Sequence, residues 1–188
     1  MTLISTLEQV VEELERRGHV VRASLQPGAT HTSIADVFQP LGLTPPPDLI
    51  TLYQWHNGMD LAYASAPLFG EHYFFPLHIA IRAYHRIVEY YADPEALIDL
   101  THCFPIAGYS GDYYAVYCDA SPFEGLLYPI IQAFQGISIS FENLYTMAQT
   151  ALSWATSGVY ELDSADGARI AAIQRQFNPR IPDRKTTL

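Results

Sequence analysis

The chain has 188 residues, of which 49% are hydrophobic and 16% are charged, and its formal net charge at pH 7 is −10. This length and hydrophobic content predict a globular protein with a sizeable core and exclude an intrinsically disordered chain. The excess of acidic residues argues against a nucleic-acid partner and against binding to an anionic membrane, because both need a basic surface.

The N-terminal part of the chain predicts a helix, a short strand and a second helix, at residues 5–18, 20–25 and 32–42. Ser5 to Glu8 resembles a capping box, and apolar residues at helical spacing follow it. The Gln-Pro-Gly sequence at 26–28 ends the strand. Either Thr32 or Ser33 can cap the second helix, which ends at Gly42.

A proline-led helix is predicted next, directly after three consecutive prolines. Pro47 suits the first turn, where its missing N–H is harmless, and Asp48 places a negative charge at the positive end of the helix dipole. The residues that follow form an apolar surface wider than one stripe, so we expect a mostly buried helix that Asn57 and Gly58 end. Its expected structural core residues are Leu49, Leu52, Tyr53, Trp55 and Gly58.

The rest of the chain predicts strands followed by helices. A strand at 73–75 and a helix at 77–91 come first. Further strands are predicted at 103–106, 113–118, 126–131 and 136–139. Two more helices, from Ser140 to Gly158 and from about 165 to 177, precede a tail at 179–188 that is expected to fray. This order predicts an α+β fold in which helices pack around a mostly antiparallel sheet of about four to six strands.

The terminus and the cysteines indicate the compartment. No apolar run reaches the ~20 residues that a membrane-spanning helix needs, and the N-terminus lacks the basic start and apolar core of a signal peptide. We therefore expect a cytoplasmic protein. Cys103 and Cys118 are too few for a disulfide framework and lack zinc-ligand spacing, so we expect buried free thiols.

The histidines are the main candidates for metal or catalytic chemistry. His78, Arg82 and His85 lie at helical spacing, but the two histidines are two turns apart, wider than the one-turn pairs of helical metal sites. His102 and Cys103 are neighbours that would point to opposite faces of a strand, so they would not form a catalytic dyad. No phosphate-binding loop, dinucleotide fingerprint or nucleophile elbow is present. We therefore expect no metal, no cofactor and no catalytic residue.

An acidic, aromatic-rich zone is the best candidate for binding, with the expected partner-binding residues Asp60, Glu71, Tyr109, Asp112 and Tyr113. Tyrosines are frequent in interfaces because they bury a large ring and keep a hydroxyl group for hydrogen bonding. Acidic residues around them would attract a cationic protein partner. Alternatively, the tyrosines pack in the core and Asp112 only shapes a turn.

Two stretches of the sequence resemble the hallmarks of the SUKH superfamily. The first is the proline-led helix, with the pattern P-x-x-L-x-x-L-Y-x-W-x-N-G from Pro46 to Gly58. The second is Phe104 to Asp119, with an aromatic-Pro step, a Gly-Asp turn and an acidic strand end. The resemblance implies one SUKH-like α+β domain over residues 1–178.

The same resemblance implies a binding protein and not an enzyme. Bacterial SUKH members are immunity proteins that bind a polymorphic toxin, often a basic nuclease, in the producing cell, and a cationic toxin domain fits the charge of this chain. Three alternatives stay open: a Smi/Knr-type regulatory protein of cell-wall assembly, a metal-dependent hydrolase that uses the His78/His85 face, and a scaffold that homodimerises through its tyrosines.

Overall fold

The computed structural model of the chain describes residues 1–91, 98–119, 123–134, 136–159 and 167–181. The α-helices are α1 Leu3–Arg16, α2 His31–Leu41, α3 Pro47–Trp55, α4 Leu77–Tyr91, α5 Leu144–Ser157 and α6 Gly167–Phe177. The strands are β1 Leu25–Pro27, β2 His56–Met59, β3 Tyr73–Phe74, β4 Cys103–Tyr109, β5 Asp112–Tyr117, β6 Ile130–Ala133 and β7 Ile137–Phe141. Short 3-10 helices precede β1 and β4, at Arg22–Ser24 and Leu100–His102.

The strands form two sheets. The larger sheet has five strands in the order β3-β4-β5-β6-β7, and all neighbouring pairs are antiparallel. Strands β1 and β2 form a separate antiparallel pair. The α+β prediction is confirmed, with helices packed around a mostly antiparallel sheet. Within the described ranges, no helix is both long and apolar enough to cross a bilayer.

The core joins the helices to the larger sheet. Helix α1 packs mainly on α5, and α4 packs on β4. One continuous cluster of buried hydrophobic residues extends from Leu3 to Ala155. In α3, Leu49, Leu52 and Tyr53 are fully buried, because the helix is enclosed by α1, α2 and β2.

The residues after α3 differ from the prediction. The helix ends at Trp55, and Asn57 and Gly58 do not close it but belong to strand β2. The Asn57 side-chain oxygen accepts a hydrogen bond of 3.0 Å from the Leu77 N–H, at the start of α4. Gly58 has φ +75°, and a Cβ there would lie 2.1 Å from the Pro76 nitrogen. The pair thus positions the segment before α4, a long-range role that the local pattern does not reveal.

Trp55 is only partly buried, which corrects its assignment to the core. Its indole N–H donates a 2.7 Å hydrogen bond to the Glu8 carboxylate of α1. The same carboxylate accepts two 3.0 Å hydrogen bonds from the Arg22 guanidinium. A tryptophan with one apolar face and one polar edge commonly lies at such a boundary between core and solvent.

The Glu8 contacts predict a pH-dependent contribution to stability. The hydrogen bond from Trp55, and then Arg22, lower the pKa of Glu8 below its ordinary value of 4.5. A lowered pKa means that the stabilisation is complete above about pH 4.5 and is lost as pH falls through the folded-state pKa. We expect Glu8→Gln to reduce the free energy of unfolding by about 1 kcal/mol at neutral pH, a value limited by solvent screening, and by much less at about pH 3.

Urea unfolding of wild type and Glu8→Gln at the two pH values measures this difference. Glu12→Gln is the matched control, because Glu12 lies on the same helix and is exposed. An equal loss of stability for Glu8→Gln at both pH values would show that the charge of Glu8 contributes nothing.

Several element boundaries at the N-terminal end also differ from the prediction. The capping box of α1 is formed by Thr2 and Ser5, with α1 beginning at Leu3. The expected strand at 20–25 is mostly a 3-10 turn, in which the Ser24 hydroxyl donates to the Val21 carbonyl at 2.6 Å. Helix α2 is capped by Thr30, two residues before the first predicted cap. At the starts of α1 and α2, a neighbouring Ser or Thr offers an equivalent cap, which the sequence alone does not distinguish.

Boundaries in the second half also differ from the prediction. The strand expected at 126–131 lies at Ile130–Ala133, and the one expected at 136–139 at Ile137–Phe141. Helix α5 is capped by Asn143, whose side-chain oxygen accepts from the Thr146 N–H, and Ser140 is a strand residue. Residues 165–166, at the predicted start of the last helix, lie outside the described residues.

The chain makes specific contacts where the expected tail begins. Asn178 is 2% exposed, and its side-chain oxygen accepts a 2.9 Å hydrogen bond from the Glu142 N–H. The Arg180 N–H donates to the Glu142 carboxylate at 2.8 Å. These contacts join residues 178–180 to the segment between β7 and α5. Residues 182–188 of the tail lie outside the described residues.

Cys103 and Cys118 are both free and buried. Burial raises the pKa of the Cys103 thiol well above its ordinary value and raises that of Cys118 to about 12. A thiolate is the reactive form of cysteine, so both side chains are held in the unreactive thiol form at neutral pH.

Candidate partner-binding cleft

A cleft of about 780 Å³ lies between the larger sheet and α6. We call it the Asp112 cleft, after the charged residue on its sheet side. Its sheet side is formed by side chains from the start of β3 and from β4, β5 and β6, which include His72, Tyr73, Tyr109, Asp112, Tyr114 and Gln132. Its helical side is formed by Trp154 of α5 and by Ile170, Ala171, Gln174 and Arg175 of α6.

Asp112 is positioned by the hairpin between β4 and β5. The turn residues Ser110 and Gly111 have φ 49° and 89°, and Asp112 pairs with Tyr109 across the hairpin. The Gln132 side-chain amide donates to both carboxylate oxygens of Asp112, at 2.9 and 3.1 Å. The Asp112 side chain is 20% exposed. Its charge is thus held in one place and stays partly open to the cleft.

His72 lies against this carboxylate. The residue is 4% exposed, and its ring stacks on Tyr114 with a centroid distance of 3.9 Å. Its Nε2 is 3.2 Å from Oδ2 of Asp112, but the two atoms are not aligned as a hydrogen bond. Within the described residues, neither ring nitrogen of His72 has a hydrogen-bond partner. Buried polar atoms are normally paired, so an unpaired imidazole in a cleft requires an explanation.

The structure separates the five predicted binding residues. Asp112, Tyr109 and Glu71 line the cleft, and Tyr109 is 60% exposed. Tyr113 is 7% exposed and packs against Phe75, so its prediction as an exposed binding residue was wrong. Its side chain lies on the opposite face of β5 from Asp112. Asp60 does not line the cleft, and its carboxylate accepts a 3.0 Å hydrogen bond from the Ala62 N–H in a turn.

Sequence reasoning missed the other half of the cleft. The pairing of β6 with β5 places Gln132 beside Asp112. His72 is held by its β-bridge with Phe69. No local signal marks Gln132, although its polar side chain within an otherwise apolar strand is unusual. The α6 side was also missed, because an amphipathic pattern does not indicate where a helix docks.

The histidines considered for metal chemistry lie elsewhere. His78 and His85 are exposed on α4, and neither lines the cleft. His102 is half-buried, with its ring nitrogens near the carboxylates of Asp99, at 3.6 Å, and Asp119, at 3.3 Å. In the part of the chain that the structure describes, no group of three or more His, Cys, Asp or Glu side chains is arranged to hold a metal ion.

The fold and motifs define a class of protein. The proline-led α3, with Asn57-Gly58 following it in β2, and the later β4-β5 hairpin with its Gly-Asp turn carry the two motifs that resemble the SUKH superfamily. The chain belongs to the SMI1/KNR4 family (SUKH-1), whose family model matches residues 28–156. A search of curated proteins gave no significant match. Because the family match ends at 156, the α6 side of the Asp112 cleft lies outside it.

Proposed function

We propose that the protein is a non-enzymatic binding protein that neutralises a cationic toxin domain in the cytoplasm by direct binding. The family assignment supports a SUKH-type role, and the net charge of −10 favours a cationic partner. The observation that carries the proposal is the Asp112 cleft itself. It combines a fixed carboxylate with an exposed tyrosine, and aromatic residues are enriched in interface cores.

Two further features fit a protein partner better than a small substrate. Tyr109 stands at the cleft with 60% of its surface exposed, and its ring lies 6.0 Å from that of Tyr73. Glu71 is exposed beside them. A paired aromatic patch with an acidic neighbour offers apolar area for binding and charge for steering a basic partner.

The proposal predicts a toxin domain encoded beside the gene, and co-expression with that domain is the test. We expect the wild-type chain to restore growth of cells that express the toxin domain, and the two purified proteins to form a stable complex. The proposal fails if the chain neither protects those cells nor binds the toxin domain.

Glu71 is expected to act mainly on the rate of association. Glu71→Lys should slow association with the toxin domain by about tenfold at low salt and weaken its salt dependence, because exposed interface charges steer the encounter. Asp36→Lys makes the same charge change on α2, from which no residue lines the cleft, and should have a much smaller effect. Stopped-flow or biosensor kinetics at two salt concentrations measure both variants. Equal slowing by the two variants would place the binding surface elsewhere.

A regulatory role of the Smi/Knr type is the second candidate, favoured by the description of the matched family as SMI1/KNR4. It also uses protein binding without catalysis. Failure to protect against the neighbouring toxin, together with altered cell-wall sensitivity on deletion of the gene, would favour this role over immunity.

A further inference from the structure

We propose that the Asp112 cleft is a receptor for one arginine side chain of the protein partner. This deepens the proposed function and rests on it only for the identity of the molecule that carries the arginine. The site combines a fixed carboxylate, an unpaired buried imidazole and surrounding aromatic rings, and each of these selects for one property of the ligand.

The carboxylate selects for positive charge. Asp112 is held by the Gln132 amide, which in turn accepts a 3.2 Å hydrogen bond from the Ser140 hydroxyl. A carboxylate has about four lone-pair positions, so one amide nitrogen leaves acceptor capacity on the side of the cleft. Neither Gln132 nor Ser140 carries a charge that would neutralise Asp112. The carboxylate is therefore preorganised for a cation and would repel an anionic ligand.

The imidazole selects for a ligand with more than one donor. Nε2 of His72 and Oδ2 of Asp112 are 3.2 Å apart and share no hydrogen bond. In the tautomer that carries the proton on Nδ1, Nε2 is an acceptor, and two acceptor atoms this close together favour a ligand that donates to both. A guanidinium has five N–H donors in a planar fork and no acceptor, so it can donate to both atoms at once. Such a ligand would give a buried, unpaired nitrogen its hydrogen bond.

The aromatic rings favour arginine over lysine. The cleft is lined by Tyr73, Tyr109, Tyr114 and Trp154. A guanidinium is planar, weakly hydrated and stacks on aromatic faces, whereas an ammonium group is compact and strongly hydrated. Moving from water past the exposed Tyr109 to Asp112 would therefore cost an arginine less desolvation free energy than it would cost a lysine.

The other charged groups at the cleft leave the preference for a cation in place. Glu71 is exposed and adds negative charge. Arg175 of α6 is positive but also exposed, where water screens it, whereas the Asp112 side chain is 20% exposed. His19 also lines the cleft and is half-buried.

The test uses N-acetyl-arginine methylamide as the probe and the full chain as the receptor. We expect saturable binding with a dissociation constant in the millimolar range. NMR shifts of the His72 and Tyr114 ring signals measure this binding. The citrulline analogue, which has nearly the same shape without the charge, should bind at least tenfold more weakly, and the glutamate analogue should not bind. Asp112→Asn should weaken binding of the arginine probe at least tenfold, whereas Asp36→Asn should leave it unchanged.

His72→Phe provides a second variant, because phenylalanine keeps the stacking on Tyr114 and removes the nitrogen acceptor. It should weaken binding of the arginine probe several-fold. The inference is overturned if the citrulline or glutamate analogue binds as well as the arginine probe, a comparison that needs only wild-type protein. It is also overturned if folded Asp112→Asn binds the arginine probe as tightly as wild type. Toxin binding is measured separately. If the chain binds the toxin domain but not the arginine probe, only this inference is refuted. If it binds the arginine probe but not the toxin domain, only the proposed function is refuted.

Discussion

Replacing Gly58 by alanine is expected to cost at least about 4 kcal/mol of stability, in the range that marks exceptional single substitutions. Two independent effects contribute. The residue has φ +75°, which is unfavourable for a side chain, and the new Cβ would lie 2.1 Å from the Pro76 nitrogen and 2.3 Å from the Phe75 carbonyl carbon. These neighbours are backbone atoms between β3 and α4, so they cannot turn away as a flexible side chain would. Denaturant unfolding, or the loss of soluble protein, measures the effect.

Gly42→Ala is the matched control for this prediction. Gly42 has φ +68° at the end of α2, but a Cβ there would meet no atom within 4 Å. Its substitution should therefore cost only about 1 kcal/mol, from the backbone conformation alone. If the two variants lose the same amount of stability, the close approach of β2 to Pro76 is not rigid and the prediction is wrong.

Tyr53→Ala is expected to cost about 3–5 kcal/mol, the usual range for truncating a large aromatic residue in a core. Tyr53 is fully buried, and its ring lies 5.4 Å from that of Phe74 and 6.4 Å from that of Phe104. It therefore joins α3 to two strands of the larger sheet. The free energy of unfolding, taken from urea titrations at one pH, gives the cost.

Two further variants, Tyr53→Phe and Trp55→Ala, are to be compared with Tyr53→Ala. Its hydroxyl donates a long hydrogen bond of 3.3 Å to the Phe75 carbonyl, so Tyr53→Phe should cost only about 1 kcal/mol. Trp55→Ala should cost less than Tyr53→Ala despite the larger side chain, because Trp55 is only partly buried. A Trp55→Ala variant as unstable as Tyr53→Ala would contradict the boundary position assigned to Trp55.

The start of α3 could be predicted from the sequence because its signals are local. Pro47 occupies the first turn and Asp48 the acidic position, as the sequence indicates. The predicted end of the helix was wrong because the sequence Asn57-Gly58 can equally well end a helix or lie in a strand. Only the approach of Pro76, eighteen residues later in the sequence, decides between them. Local patterns carry no information about such an approach.

The same limit applies to the cleft. Asp112 could be predicted as a turn residue near the exposed Tyr109, because the Gly-Asp sequence and the flanking strands are local signals. Its contacts with His72 and Gln132 depend on which strands become neighbours and in what register. Tyr113 was misplaced for a related reason, since a shift of one residue along a strand exchanges the buried and exposed faces.

The limited burial of α6 affects how partner preference can change. None of its residues is fully buried, and it is held by hydrogen bonds from Trp154 to the Ile170 carbonyl, at 3.3 Å, and from Gln174 to the Ser140 carbonyl, at 2.7 Å. The helix also lies outside the matched family segment, which ends at 156. One side of the cleft can therefore mutate with little cost to folding, while the carboxylate side stays fixed by the sheet. Under the proposed function, substitutions on the α6 side would change the choice of partner, while Asp112 would continue to supply the charge.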